Sequence, residues 1–422
     1  MRRRAGTVSR RRVLVVSDVS PLETHGGAAR VIREESRRLA ARGHTVTVFS
    51  RHPGSNAPLQ SDISGVPVFH YEVNRRHPLA FAVTSITGAR RRFREVPGAG
   101  DWDAVVFHQP FSAVALASLV PAALRRLYVF HSPAGDEYRV RADRLDGRRP
   151  PAGTGAVAAL LARLERRALK AADQVVVLSE FSSLVLAHAH GRMKAPVITI
   201  PGAVDLERFR PPADRARVRE QLGLAPGSTV LLTVRDLQAR MGLDTLLHAL
   251  DAFRRGRRLT CVIGGSGGLR PALERLAGEL GLGAIVRFAG HIPEEALPLH
   301  YQAADLFVLP TRALEGFGLV TVEALACGTP VVATPVGATP EILGPLDERL
   351  IASDNSSAAL VAALAEALPL AADEGFRRRC RAYAETRYSW DRHVDALESL
   401  LVSPSPVGLP TGPAAGRSVS RW

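Results

Sequence analysis

Residues 304–334 read ADLFVLPTRALEGFGLVTVEALACGTPVVAT. The apolar run 304–310 is followed by a loop with two glycines, then by a helical apolar pattern, and PVVAT (330–334) closes the stretch as a second apolar run. Short apolar runs bounded by turn formers read as buried strands, and a helix between two of them makes the strands parallel. Residues 315–323, EGFGLVTVE, open that helix with a glutamate at each end. Gly316 and Gly318 let a ligand approach the backbone, and the amides at the helix start suit an anion or hydroxyl groups. Glu315 is expected in the loop, facing a ligand. Glu323 is expected in the first helical turns, where a carboxylate accepts two hydrogen bonds from a vicinal diol. Read so, the two glutamates serve opposite ends of a ligand that is polar at both. A helix-capping glutamate beside a solvated one explains the pair alone equally well.

The same alternation extends outward along the chain. Near the start, VLVVS (13–17), a helical pattern from Ala28 to Arg42 stopped by Gly43, and HTVTVFS (44–50) form a strand, helix, strand unit. Buried-strand candidates continue at AVVFH (104–108), LYVFH (127–131), QVVVLS (174–179) and VITIP (197–201), with a helical stretch over Val157–Ala171. A second cycle holds TVLLTV (229–234), LTCVIGG (259–265) and IVRFAG (285–290), with helices over Leu243–Phe253 and Pro271–Leu280. The pattern predicts an α/β chain of two doubly wound, Rossmann-like halves with mainly parallel sheets. The expected division is 1–205 and 206–387, hinged near Pro201–Pro212, with a helix at 388–401 returning to the first half. The Pro, Gly and Ser-rich tail 403–422 is expected to be disordered. In such sheets ligands settle beyond the carboxyl ends of the strands, and two facing halves create a cleft.

Composition narrows the classes. A chain of 422 residues with 46% hydrophobic content has ample core for two domains. The formal charge of +14 comes from arginines spread beside Ala and Pro, which reads as compositional bias, and no nucleic-acid partner is expected. A further basic run, Arg90 to Arg92, reads first as a solvated face and second as attraction for a phosphorylated or membrane-bound partner. Three cysteines, Cys261, Cys327 and Cys380, lack metal or disulfide spacing and point to a reducing compartment. The apolar stretch behind the basic start is too short for a signal core, and no window is apolar for 18 residues. A cytoplasmic protein is expected, with membrane contact, if any, peripheral at the inner surface.

The segment 309–343 resembles the donor-site segment of the family-four retaining glycosyltransferases. GGAARVIREESRRLAARGHTVTVFS (26–50), FHSPAGDEYR (130–139), VVVLSEFSS (175–183), IPGAVDLERFRP (200–211) and YSWDRH (388–393) agree with it in order and spacing, over roughly residues 12–401. The resemblance implies a GT-B fold and transfer of a hexosyl group from a nucleoside-diphosphate sugar to an acceptor that the sequence does not identify: glycolipid, polysaccharide or small glycoside. It assigns Glu323 to the nucleotide ribose, Glu315 to the transferred sugar, and the amides of Gly316, Phe317, Gly318 and Leu319 to the sugar hydroxyls and diphosphate. It also sets His131, in FHSP, beside the donor sugar, and Gly26 and Gly27 in a loop approaching donor and acceptor. Without the rest of the pattern, His131 reads as a structural strand-end histidine and the glycines as an ordinary turn.

One departure stands out. Relatives carry an Arg and a Lys for the diphosphate where VRDLQARMG (234–242) has Asp236 and Met241. Arg235 and Arg240 lie one position away from each and are expected either to supply the charge or to be solvated loop residues. No metal-binding carboxylate cluster is evident, so the expected reaction uses no metal and no cofactor. The family implies retention through a front-face substitution in which the departing phosphate takes the acceptor proton. Two competing readings are an auxiliary subunit that keeps the fold without turnover, suggested by Asp236 and Met241, and a sugar-nucleotide 2-epimerase.

Overall fold

Two largely parallel sheets organise the computed structural model, which describes residues 10–23, 26–54, 57–98, 100–142 and 151–402. The predicted tail 403–422 lies outside the described residues. One compact unit takes the chain up to Tyr138, Ala152–Pro201 and the helix from Trp390; the other is Gly202–Ser389 with a short stretch that follows Tyr138.

The first unit holds β1 (Arg12–Ser17), β2 (Thr45–Arg51), β3 (Gln60–Ile63), β4 (Val66–Tyr71), β5 (Ala104–Phe107), β6 (Arg125–Phe130), β7 (Gln174–Val177) and β8 (Val197–Thr199). Their order is β3-β4-β2-β1-β5-β6-β7-β8. Val13 sits between Val46 and Ala104 in register, and Val13 to Val16 are buried because helices cover both faces of the sheet. Each such side chain contributes about 1.5–3 kcal/mol by leaving water. Phe49, Tyr71, Phe93 and Trp102 fill the space between strands and helices, with ring centroids 5.3 to 5.6 Å apart.

The sequence reading missed β3 and β4, which pair antiparallel at one edge. They are joined at Ser64 and Gly65, both with positive φ, the backbone a tight hairpin turn needs. In the second unit, β9 (Thr229–Val234), β10 (Leu259–Gly264), β11 (Val286–Gly290), β12 (Leu306–Leu309) and β13 (Val331–Ala333) run in the order β11-β10-β9-β12-β13, all paired in parallel. Crossover helices include Leu243–Phe253, at the bounds the periodicity gives, and Leu319–Ala326.

The last described helix, Trp390–Val402, buries Trp390, Val394, Leu397 and Leu401 and is tied to the first unit by polar contacts. Arg42 meets Asp395 at 2.6 Å and Glu398 at 2.9 Å, and His44 reaches Glu398 at 2.7 Å. All three cysteines are free and buried. Among the described residues, no helix is long and apolar enough to cross a membrane.

Candidate functional site

In the second unit, the predicted residues gather at the carboxyl ends of the strands, where an open parallel sheet exposes backbone groups to a ligand. Arg235 directly follows β9, and Glu315 lies in the loop after β12. Arg235 Nη2 donates to Glu315 Oε2 at 2.5 Å, and Thr311 Oγ1 donates to the same oxygen at 3.1 Å. Both partners of the pair are buried. Burial alone would raise the carboxyl's pKa, but the nearby guanidinium of Arg235, assisted by Arg240, outweighs it and holds Glu315 below the ordinary glutamate value.

Neighbouring loops close tightly on this pair. Gly265, after β10, has φ +127 and packs so near the Arg235 carbonyl that a Cβ would come within 1.8 Å of its oxygen, so only glycine fits. After β13, Ala338 donates its amide to the Glu315 carbonyl at 2.9 Å. Leu314 has φ +57, a left-handed conformation that costs a bulky residue energy, and its carbonyl accepts from Arg240 Nη1 at 3.1 Å. Gly318, also left-handed, starts the helix Leu319–Ala326. Phe317 and Leu319 turn inward while Gly316 and Gly318 stay partly exposed, so this turn presents backbone at the surface.

These contacts correct the expected environment of three residues. Glu315 does not stand open towards a ligand: it is buried and engaged by Arg235. Arg235 is not a solvated loop arginine; its Nη1 is buried and has no hydrogen-bond partner among the described residues. Met241 is buried as well, with its sulfur 3.1 Å from Arg235 Nη2. Where the resemblance leads one to expect a Lys, this chain has a buried thioether packed against Arg235. Glu323, on the second turn of its helix, is buried and accepts from the Tyr301 hydroxyl at 2.8 Å through Oε2. One of the two oxygens expected to meet a diol thus already has an internal partner.

The remaining predicted residues belong to the first unit. Gly26, with φ +93, precedes the helix Gly27–Ala41, and both glycines are exposed. His131 follows β6 and meets a second histidine that the sequence reading passed over. His131 Nε2 lies 3.2 Å from Nδ1 of His108, which follows the adjacent strand β5, and their rings stack with centroids 5.4 Å apart. Behind them stands Glu35 of the helix Gly27–Ala41, its Oε2 3.4 Å from His108 Nε2 and its Oε1 2.9 Å from His393 Nε2. His393 Nδ1 donates to the Pro201 carbonyl at 2.7 Å. Burial, with His108 adding to it, pushes the pKa of His131 down to about 3. Burial raises that of Glu35, yet the histidines outweigh it and bring it down to about 2. The signal for His108 lay in the repetition of Phe-His at the ends of AVVFH and LYVFH, two runs that become neighbouring strands. Tyr301 and Thr311 carried no such signal.

Two family models match the chain: "Glycosyltransferase Family 4" over residues 25–208 and "Glycosyl transferases group 1" over 214–387. A D-inositol 3-phosphate glycosyltransferase of Geodermatophilus obscurus is 33% identical, with 94% of this chain and 90% of that protein aligned. Among solved structures, a sucrose-phosphate synthase from Thermosynechococcus elongatus superposes with a TM-score of 0.78 at 24% identity, covering 92% of this chain and 98% of that one. Anabaena HepE, in complex with UDP, gives 0.71 at 19% identity, covering 92% and 99%.

Proposed function

Because this chain belongs to the family-four glycosyltransferases, with the GT-B fold of two Rossmann-like domains, we propose that it moves a hexosyl group from a nucleoside-diphosphate sugar to a phosphorylated cyclitol, with retention at the anomeric carbon and without metal or cofactor. The observation that carries the donor half of this reading is the buried Nη1 of Arg235, without a hydrogen-bond partner among the described residues, together with the turn in which Gly316 and Gly318 are partly exposed. A donor left unsatisfied in a buried site costs about 1–3 kcal/mol, and a diphosphate oxygen meeting it there recovers that cost. Glu315 holds the guanidinium in place, Arg240 adds positive charge, and the turn offers amides, so developing charge on the departing diphosphate meets preorganised donors. In the reaction the bond from the anomeric carbon to the diphosphate oxygen breaks. A bond to the acceptor oxygen forms on the same face, and the acceptor proton passes to the departing phosphate.

Glu323 takes the ribose in this reading, and His131, Gly26 and Gly27 serve the sugar side. The acceptor class is supported by the Geodermatophilus relative, named for D-inositol 3-phosphate, and the nucleotide class by the UDP bound to the Anabaena protein. The experiment is a product assay with UDP-, GDP- and ADP-hexoses against inositol phosphates, in buffer containing EDTA, with the anomeric configuration read by NMR. Formation of an α-linked product from an α-linked donor supports the proposal. An inverted linkage removes the retaining mechanism, and turnover only with another acceptor class removes the cyclitol.

A further inference from the structure

Five groups behind β5 and β6 form a line: the Pro201 carbonyl, His393, Glu35, His108, His131. Each link constrains the next. A carbonyl only accepts, so His393 carries a proton on Nδ1. Its Nε2 stands 2.9 Å from Glu35 Oε1, and one proton lies between them. Glu35 Oε2 is therefore an acceptor. It lies 3.4 Å from His108 Nε2; both atoms are buried with no hydrogen-bond partner among the described residues, so this link is electrostatic, and the carboxylate charge favours the proton on that nitrogen. His108 Nδ1 then bears a lone pair, and the nitrogen 3.2 Å from it, His131 Nε2, must be the donor. A neutral imidazole that donates through Nε2 accepts through Nδ1.

We propose that Glu35 and His108 are positioning residues that fix His131 in its Nε2-protonated form, leaving Nδ1 to accept a hydrogen bond from a hydroxyl of the bound sugar. The role of the hydroxyl rests on the proposed function, which puts His131 on the sugar side; the tautomer does not. A histidine with its proton on Nδ1 would instead turn a donor towards that hydroxyl, and its ring would lose the bond to His108. Second-layer partners that select a tautomer are a common way to aim an imidazole at its ligand. The carboxylate acts here through an intervening imidazole instead of touching the working ring.

The test uses the full chain labelled with 15N-histidine, and long-range 1H–15N spectra that report which ring nitrogen carries the proton. The His131 signals are assigned by their loss in His131→Gln. The expected result is a protonated Nε2 and a bare Nδ1 in the unliganded wild type. In Glu35→Gln, with fold retained by circular dichroism, His131 becomes a mixture of tautomers, kcat falls about tenfold, and KM for the donor stays within about twofold. A wild-type His131 protonated on Nδ1 overturns the proposal, whether or not the variant folds. So does an unchanged tautomer in a folded Glu35→Gln protein. Full turnover by His131→Gln, alongside the expected spectra, upholds the line of proton positions and instead removes His131 from the sugar site.

Discussion

Arg235 and Glu315, eighty positions apart in the chain, form a buried ion pair at 2.5 Å. The arginine leaves β9 and the glutamate leaves the loop after β12, and those strands are neighbours in the sheet. The pair has no net charge, so under the proposed function it would serve a diphosphate through the directed Nη1 hydrogens and not through bulk positive potential. Arg240, bonded to the loop backbone at Leu314, is the cation proposed to add to it.

Removing one partner of this pair strands the other. Glu315→Ala is expected to destabilise the protein by about 3–5 kcal/mol, the usual cost of an uncompensated buried charge. Replacing both, as Arg235→Met with Glu315→Leu, restores most of that stability while donor binding stays lost. Urea unfolding and calorimetric titration with a nucleoside diphosphate separate the two quantities. If the double variant binds the diphosphate as wild type does, Arg235 is not part of the phosphate site.

Arg240→Ala should weaken a nucleoside diphosphate by about tenfold or more, and the free nucleoside by less than twofold, since one charge-assisted hydrogen bond amounts to about 1.5–3 kcal/mol. Equal losses for both ligands would take Arg240 away from the phosphates.

Glu323→Ala is expected to weaken nucleotide binding about tenfold to a hundredfold, again from one or two bonds to a charged acceptor. Tyr301→Phe removes only the hydroxyl that orients the carboxylate through Oε2 and should cost severalfold. Binding to a 2′,3′-dideoxynucleotide provides the control: both substitutions should leave it unchanged.

Glu35 gives a pH signature. Its carboxyl falls from the ordinary value of 4.5 to about 2 in the folded protein, so below pH 4.5 the unfolded chain binds the proton first. The stabilisation from this group is complete above pH 4.5 and is lost as the pH falls towards 2. Over that window wild type should lose on the order of 3 kcal/mol more than Glu35→Gln. Parallel stability curves for the two proteins, measured by chemical unfolding across the window, would show that the carboxylate gains nothing from its histidines.

The strands were legible because parallel strands covered on both faces become uninterrupted Val and Leu runs, as in Val13 to Val16 and Leu306 to Leu309. The edge hairpin was not, because Gln60–Ile63 is short and largely polar and gains its place by pairing with Val66–Tyr71. At the site, the glutamate spacing picked out Glu315 and Glu323, and the family resemblance pointed to Arg235 and His131. Their partners were invisible to both. The bond from Tyr301 to Glu323, the sulfur of Met241 under Arg235, and the placing of Glu35 behind His108 all depend on which strands and helices become neighbours. Met241 shows the cost most plainly: set against the lysine the resemblance implies it reads as a loss, and within the fold it is a buried surface against which Arg235 packs.

The contact between His393 and Glu35 joins residues 358 positions apart, and this separation has a consequence in time. During synthesis, the helix Gly27–Ala41 and strands β1 to β8 leave the ribosome long before Trp390–Val402 exists. The second unit, nearly all of it one unbroken segment from Gly202 to Ser389, is made in between and has its whole sheet available before the first unit has its last helix. The unit translated first is thus the one finished last, and its imidazole line closes only when the final described residues of the chain have been added.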